Sequence, residues 1–252
     1  MRQIDLSGKV AVVNGGSRGI GEAIARGLAD CGAQVVVSSR RLEGVQAVAD
    51  AINGDGGKAV ARACHAGNLD DIESLFAFVN DSFGCLDILI NNAATSPYYG
   101  EATGLPPSAF DKTVEVNLKG PYYMMSQAVA LMASSGGGSM VNVASVAGLN
   151  PLPGQAVYSM TKAGLISLTR SFAKEYGQQG IRVNAILPGV VETRLASALI
   201  EDPKIQKWLS ELPVARAGQP EDMVGGVLYL VSDQAAYTTG TTLVMDGGAT
   251  LG

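Results

Sequence analysis

Tyr158 and Lys162 stand four residues apart in a helical pattern, so their side chains emerge on one face, one turn from each other. A free phenol, with a pKa of about 10, exchanges protons poorly near neutrality. A nearby ammonium joined by a second positive charge favours the phenolate, and lowering the pKa by roughly three units needs about 4 kcal/mol of differential stabilisation. Two cations in a partly dry cleft can supply that. A tyrosine so placed can give a proton to an oxygen that gains negative charge, or take one from a hydroxyl. Ser145 is a polar residue thirteen positions before Tyr158 that can hydrogen-bond the same oxygen. Taken singly, a tyrosine or serine is more often a core or surface residue.

A second group of residues bears on phosphate binding. Asn14-Gly15-Gly16-Ser17-Arg18-Gly19-Ile20-Gly21 follows an apolar run and opens a helical pattern. At a strand-to-helix turn, glycines permit a tight bend and close approach to a pyrophosphate, which the helix N-terminus attracts. Gly15, Gly19 and Gly21 are spaced Gly-x-x-x-Gly-x-Gly, unlike the general dinucleotide fingerprint. About twenty residues further on, where an acidic residue binds the ribose of NAD, the chain has Ser39-Arg40-Arg41. A carboxylate there would repel a 2′-phosphate, whereas Arg40, with Arg18 from the glycine turn, offers planar donors matched to it. This predicts NADP(H) over NAD(H); the alternative is that both arginines are solvated surface charges.

These residues need elements to hold them. Short β-branched runs at 10–13, 35–37, 58–61, 88–90, 140–143, 183–187 and 243–245 are spaced for intervening helices, which predicts a parallel sheet. The runs are nearly continuous and not alternating, so helices should cover both faces, giving a doubly wound α/β fold. Helical patterns occupy 20–31, 42–52, 70–83, 108–133 and 156–176. No linker-like segment divides the 252 residues, and 1–252 is predicted to form one domain.

The motifs, in this order, resemble those of the short-chain dehydrogenase/reductase family. The resemblance rests on the glycine spacing, Asn91-Asn92-Ala93-Ala94, Asn117 in Val-Asn-Leu-Lys-Gly, Ser145 ending Asn-Val-Ala-Ser, Tyr158-x-x-x-Lys162, and Leu187-Pro188-Gly189 with Thr193. It extends along nearly the whole chain. It implies a seven-stranded Rossmann-type sheet of order 3-2-1-4-5-6-7 and hydride transfer between a nicotinamide cofactor and a carbonyl or secondary alcohol. Tyr158 would be acid and base, Ser145 would hold the substrate oxygen, Lys162 would also bind the nicotinamide ribose, and Asn117 would anchor a water linking that lysine to solvent. Cofactor contacts would come from Gly15, Ser17, Arg18, Gly19, Ile20, Ser39, Arg40, Asn68, Leu69, Asn92, Ala93, Tyr158, Lys162, Pro188, Gly189, Val191 and Thr193.

The chain departs from the family pattern at two positions. Asn14 stands where Thr is usual, and Ala94 replaces the last Gly of Asn-Asn-Ala-Gly, adding a methyl that can narrow the cleft or demand a different backbone angle. Asn68 occupies a place often acidic, and its carbonyl can accept from the adenine amino group. The resemblance places substrate walls at 95–100, 149–155 and 194–212, with Thr95, Leu152, Ser145 and Tyr158 against the substrate. A lid spans about 190–215, where Leu195, Leu199, Ile200 and Trp208 suit an apolar molecule or, equally, an amphipathic helix packed on the body. A 3-oxoacyl-carrier-protein reductase is the main alternative, but residues 121–139 carry no Lys or Arg to dock an acidic carrier, and Gln178-Gln179 supplies none. A non-catalytic nucleotide-binding sensor is the alternative of another class. It would be expected to lack the tyrosine or lysine.

Composition narrows the partners. A net charge of −5 without basic clusters argues against nucleic acid and anionic membranes and leaves a small-molecule substrate, which the resemblance implies is a carbonyl or alcohol. His65 is the single histidine, too little material for a histidine-based metal site or a Ser-His-Asp hydrolase, and no metal is expected. Cys31, Cys64 and Cys85 are odd in number and widely spaced, as reduced thiols of a cytoplasmic protein would be. Neither a signal peptide nor a membrane span is expected. Residues 120–161 carry no charge at all. Core burial explains part of this, and a homo-oligomer, tetramer or dimer, is expected to cover the rest.

Overall fold

The computed structural model describes residues 4–251; residues 1–3, at the start of the stretch read above for a leader, and residue 252 lie outside it. The strands are β1 Val10–Asn14, β2 Gln34–Ser39, β3 Lys58–Ala63, β4 Ile88–Asn91, β5 Gly138–Val143, β6 Ile181–Pro188 and β7 Thr242–Met245. They form one parallel sheet of order β3-β2-β1-β4-β5-β6-β7, as the resemblance implied. The helices are α1 Gly19–Asp30, α2 Leu42–Gly54, α3 Leu69–Phe83, α4 Pro107–Val114, α5 Gly120–Ser134, α6 Ala156–Tyr176, α7 Ser197–Ile200, α8 Pro203–Ser210 and α9 Val224–Val231.

The continuous apolar runs are explained by burial on both sides of the sheet. Ala11 and Val13 of β1, with Val35 and Val37 of β2, pack under α1, α2 and α9, whereas Val10, Val12 and Val36 pack under α3, α5 and the end of α6. Ile88 and Ile90 join the first layer and Leu89 the second. Each of these valines, isoleucines and leucines stabilises the fold by about 1.5–3 kcal/mol on burial. An aspartate at Val12, fully enclosed, would break the second layer. Because every strand is parallel, all seven carboxyl ends share one sheet edge, the place where open α/β sheets bind ligands.

Two elements differ from the sequence reading. The expected helix over 108–133 is interrupted by a π-helical segment, Glu115–Lys119, between α4 and α5. Pro121 lacks the N–H that would bond the Asn117 carbonyl four residues back, and π segments of this kind concentrate at functional positions. The second is α9, not anticipated because its Val-Gly-Gly-Val start has low helix propensity. A parallel β6-to-β7 connection nonetheless required a crossover that covers the sheet.

Candidate active site

At the carboxyl end of β5 the chain enters a short 3-10 turn, Val146–Gly148, whose first N–H groups need an acceptor. Ser145 provides it: its Oγ accepts from the Ala147 N–H at 3.1 Å. That bond fixes the oxygen and leaves the hydroxyl hydrogen to be donated. Tyr158, half-buried on α6, lies near enough for this hydroxyl to favour its phenolate form. Burial pushes the Tyr158 phenol up from its ordinary value, and the hydrogen bond with Ser145 partly opposes this.

Lys162 lies one turn further along α6 and is almost wholly buried. Its Nζ donates to the Val143 carbonyl at 2.7 Å and stands 5.6 Å from the Tyr158 ring centroid. Burial pushes this ammonium down to about 8. The sequence reading assigns acidification of the phenol to this amine together with the charge of an oxidised nicotinamide. In the protein alone the ammonium donates to the end of β5, and burial is the main influence on the phenol.

Asn117 projects from the middle of the π segment toward the same edge. Its Oδ1 accepts from the Thr95 N–H at 2.8 Å, and its Nδ2 donates to the Thr95 carbonyl at 2.9 Å and to Thr161 Oγ1 at 3.3 Å. Thr161 in turn donates to the Tyr158 carbonyl at 2.7 Å. The side chain therefore clamps the start of one expected substrate wall to the tyrosine helix, a role the sequence reading did not include. Thr161 was missed as well, although its position three residues after Tyr158 puts it on the adjoining face.

The glycine turn meets this group from β1. Gly15 adopts φ +83, and a Cβ there would lie 2.6 Å from the Ala93 nitrogen. At Gly21 a Cβ would come within 2.2 Å of the Gly15 carbonyl oxygen. Asn92 donates to that carbonyl at 2.8 Å, while the Asn92 and Ala93 N–H groups both donate to the Asn14 carbonyl. Asn14 Nδ2 donates to Ser38 Oγ at 3.1 Å, tying β1 to β2 just below the turn. Ala94 has ordinary backbone angles, so the methyl added there is accommodated without strain.

A family description reading enoyl-(acyl carrier protein) reductase matches residues 15–250. The chain is 39% identical to dehydrogenase/reductase SDR family member 4 of Oryctolagus cuniculus over 249 residues, covering 98% of this chain and 96% of that one. The chain belongs to the short-chain dehydrogenase/reductase family. It is an NAD(P)-dependent oxidoreductase. It is also 39% identical to the L-rhamnose 1-dehydrogenase (NAD(P)(+)) of Azotobacter vinelandii over 246 residues, 95% of this chain and 96% of that one. Among solved structures, a gluconate 5-dehydrogenase from Burkholderia cenocepacia in complex with NADP and tartrate superposes with a TM-score of 0.95 at 29% identity, covering 99% of this chain and 98% of that one.

The site of this short-chain dehydrogenase/reductase suits a dinucleotide. Arg18, at the N-cap of α1, makes no side-chain cap, so the first N–H groups of that helix face the turn free to meet a pyrophosphate. Gly19, at φ +56, approaches Thr193, whose Cγ2 would be 3.2 Å from a Cβ there, and Ile20 is partly buried beside it. Ser17 packs on Gly44 of α2. At the end of β2, Ser39 Oγ donates to the Arg41 carbonyl, and Arg40 is exposed with no acidic residue beside it in sequence. Pro188 ends β6, a Cβ at Gly189 would lie 2.9 Å from Asp246, and Val191 is buried.

The remaining expected contacts lie on α3 and on the loops around the site. Asn68 is the N-cap of α3, its Oδ1 accepting from the Asp71 N–H at 3.2 Å, so the carbonyl reserved above for adenine already has a donor; Leu69 follows as the first helical residue. Leu152 is largely exposed on its loop. The region of about 190–215 holds α7 and α8 in place of one amphipathic helix, with Leu195, Trp208 and Val214 exposed and Leu199 and Ile200 half-buried. The other walls are joined: the Gly100 N–H donates to the Gly154 carbonyl, and the Tyr99 ring lies against Gly154. Beside them runs a cleft lined by Ser96, Tyr98, Gln155 and Tyr158.

Among the described residues no cluster of His, Cys, Asp or Glu could hold a metal ion. His65 accepts the Gly67 N–H at its Nδ1 and contacts Lys112 at 3.0 Å. The cysteines are free thiols; burial pushes Cys64 up to about 12 and raises Cys31 and Cys85. Among the described residues no helix is long and apolar enough to cross a membrane.

Proposed function

We propose that the chain interconverts a small ketone or aldehyde and its alcohol with NADP(H), using Tyr158 as proton donor and acceptor. The nicotinamide, when bound, supplies or removes the hydride. The reading rests on one observation, the meeting of Tyr158, Ser145 and Lys162 at the sheet edge where the glycine turn opens. Ser145, its oxygen pinned by Ala147, presents a hydroxyl hydrogen to the substrate oxygen and keeps it within reach of the phenol. In reduction Tyr158 gives its proton to that oxygen as negative charge develops; in oxidation it takes the proton back. Lys162, held by Val143, is placed to bind the ribose hydroxyls and to favour the phenolate as charge passes through the ring. Asn117 fixes the Thr95 wall against the same helix.

Arg40 and Arg18 support NADP(H), since both are exposed beside the site and no carboxylate neighbours Arg40. The exposed apolar residues Leu195 and Trp208 support a lid that closes on an organic substrate. The match to an acyl-carrier-protein reductase description favours a second reading, an acyl thioester substrate. The absence of Lys and Arg from 121–139 weighs against carrier docking. Tyr122, exposed on the charge-free face of α5, supports self-association, which light scattering would measure. The deciding experiment is a panel of ketones, aldehydes, alcohols and an acyl-carrier-protein thioester followed by nicotinamide absorbance, with Tyr158→Phe alongside. Turnover should fall about 100- to 10,000-fold in that variant while cofactor still binds. Near-normal rates would exclude Tyr158 as the acid.

A further inference from the structure

The lid leaves and re-enters the body through a narrow root. On the outgoing strand Val191 makes a parallel bridge with Gly218: the Glu192 N–H donates to the Gly218 carbonyl at 2.8 Å and the Gly218 N–H to the Val190 carbonyl at 2.9 Å. On the return, the Val214 N–H donates to the Gly247 carbonyl at 2.9 Å. Just beyond, Arg216 donates to both carboxylate oxygens of Asp222, at 2.6 and 3.0 Å, and to the Ala217 carbonyl at 2.9 Å. Asp222 also accepts the Gln219 N–H at 2.7 Å, at the start of the turn leading into α9.

This geometry pins residues 217–219 from two sides, and residue 218 is the partner of the segment carrying Val191 and Thr193. We propose that Arg216 and Asp222 form a latch that positions Val191 and Thr193 against the cofactor, so that the pair sets dinucleotide affinity without touching substrate or cofactor. Thr193 faces the glycine turn so closely that a Cβ at Gly19 would lie 3.2 Å from its Cγ2. A shift at the root is therefore felt at the phosphate cradle. The groups around the latch are Glu192, whose charge acts on Arg216, and Glu221, one residue before Asp222. A merely exposed ion pair would contribute little. This one is bidentate, and its carboxylate also caps a helical turn, so its loss releases two anchors together.

The proposal rests on the reading of Val191 and Thr193 as cofactor contacts. Its test is isothermal titration of the full chain with NADPH, for the wild type, Arg216→Met, Asp222→Asn and Arg216→Lys, together with the melting temperature without cofactor. Both disruptive variants should weaken NADPH binding about three- to tenfold, a range typical of coupled positions that touch no ligand. Arg216→Lys should recover most of the loss, and kcat at saturating cofactor should stay within about twofold in all three. If Arg216→Met does not fold, Asp222→Asn carries the same expectation. Unchanged affinity in folded variants, or a loss of melting temperature with unchanged affinity, would overturn the latch. A wild type that binds NADH but not NADPH would sink the cofactor assignment alone, and the same titrations with NADH would still judge the latch.

Discussion

The ammonium of Lys162 is bonded to the Val143 carbonyl at 2.7 Å, not to the Tyr158 phenol, and burial has drawn its pKa down from 10.5 to about 8. A cation has thus been placed in an apolar enclosure at the end of β5, at a cost to the fold. Such placements are kept where charge has a use.

Lys162→Met should therefore stabilise the protein at pH 7 while abolishing turnover. At that pH the lysine is protonated in both folded and unfolded chains, so the folded state carries the whole cost of burying it, up to about 3 kcal/mol. Because the folded value lies below the unfolded one, the unfolded chain binds more protons between about pH 8 and 10.5. Wild-type stability from this group rises with pH through that window, and the advantage of methionine shrinks over it. Urea unfolding at pH 7 and pH 10 measures both; a constant difference would contradict the assignment.

The same residue should mark the rate profile. Tyr158 is pushed up by burial, so its acid form persists through neutrality. The rate of carbonyl reduction should then be level near pH 7 and decline above about 8 as Lys162 loses its charge. Steady-state kcat/KM measured across that range checks it, and a level profile through pH 9.5 would show that the lysine charge is not used.

Ser145→Ala removes the hydroxyl that Ala147 holds in place. A fall in kcat of about 100- to 1,000-fold is expected, the usual consequence of losing one positioned donor at a developing oxyanion. NADPH affinity should be unchanged by titration. Equal losses in cofactor affinity and kcat would show a structural role instead.

Arg40→Glu puts a carboxylate where a 2′-phosphate would lie. The ratio of kcat/KM for NADPH over NADH should drop at least about tenfold, mostly through the KM for NADPH. An unchanged ratio would return Arg40 to the solvent.

Periodicity and spacing made much of this molecule legible. The buried runs in β1, β2, β4 and β5 showed that both sheet faces are covered, and the four-residue interval from Tyr158 to Lys162 fixed their common helix face. The partners chosen within that frame were not legible. Lys162 finds a backbone carbonyl, Asn68 caps α3, and Asn117 grips the Thr95 backbone, all contacts between segments distant in sequence whose side chains had several possible mates. Strand order came from family resemblance, since parallel runs with helical connections are compatible with several orders. The missed α9 shows tertiary packing prevailing over weak local propensity.

The widened turn at Glu115–Lys119 gives the chain one residue more than a regular helix would hold there. Removing a single residue from it would restore normal winding with the flanking helices still nearly in phase, so the change in direction would fall on the residues inside the turn. Asn117 would then point along a different bearing, and the grip on Thr95 would be lost although no side chain had been altered. The phase of the winding is thus as much a part of the pocket as any functional group, and loops elsewhere can change length with an ease that this stretch does not share.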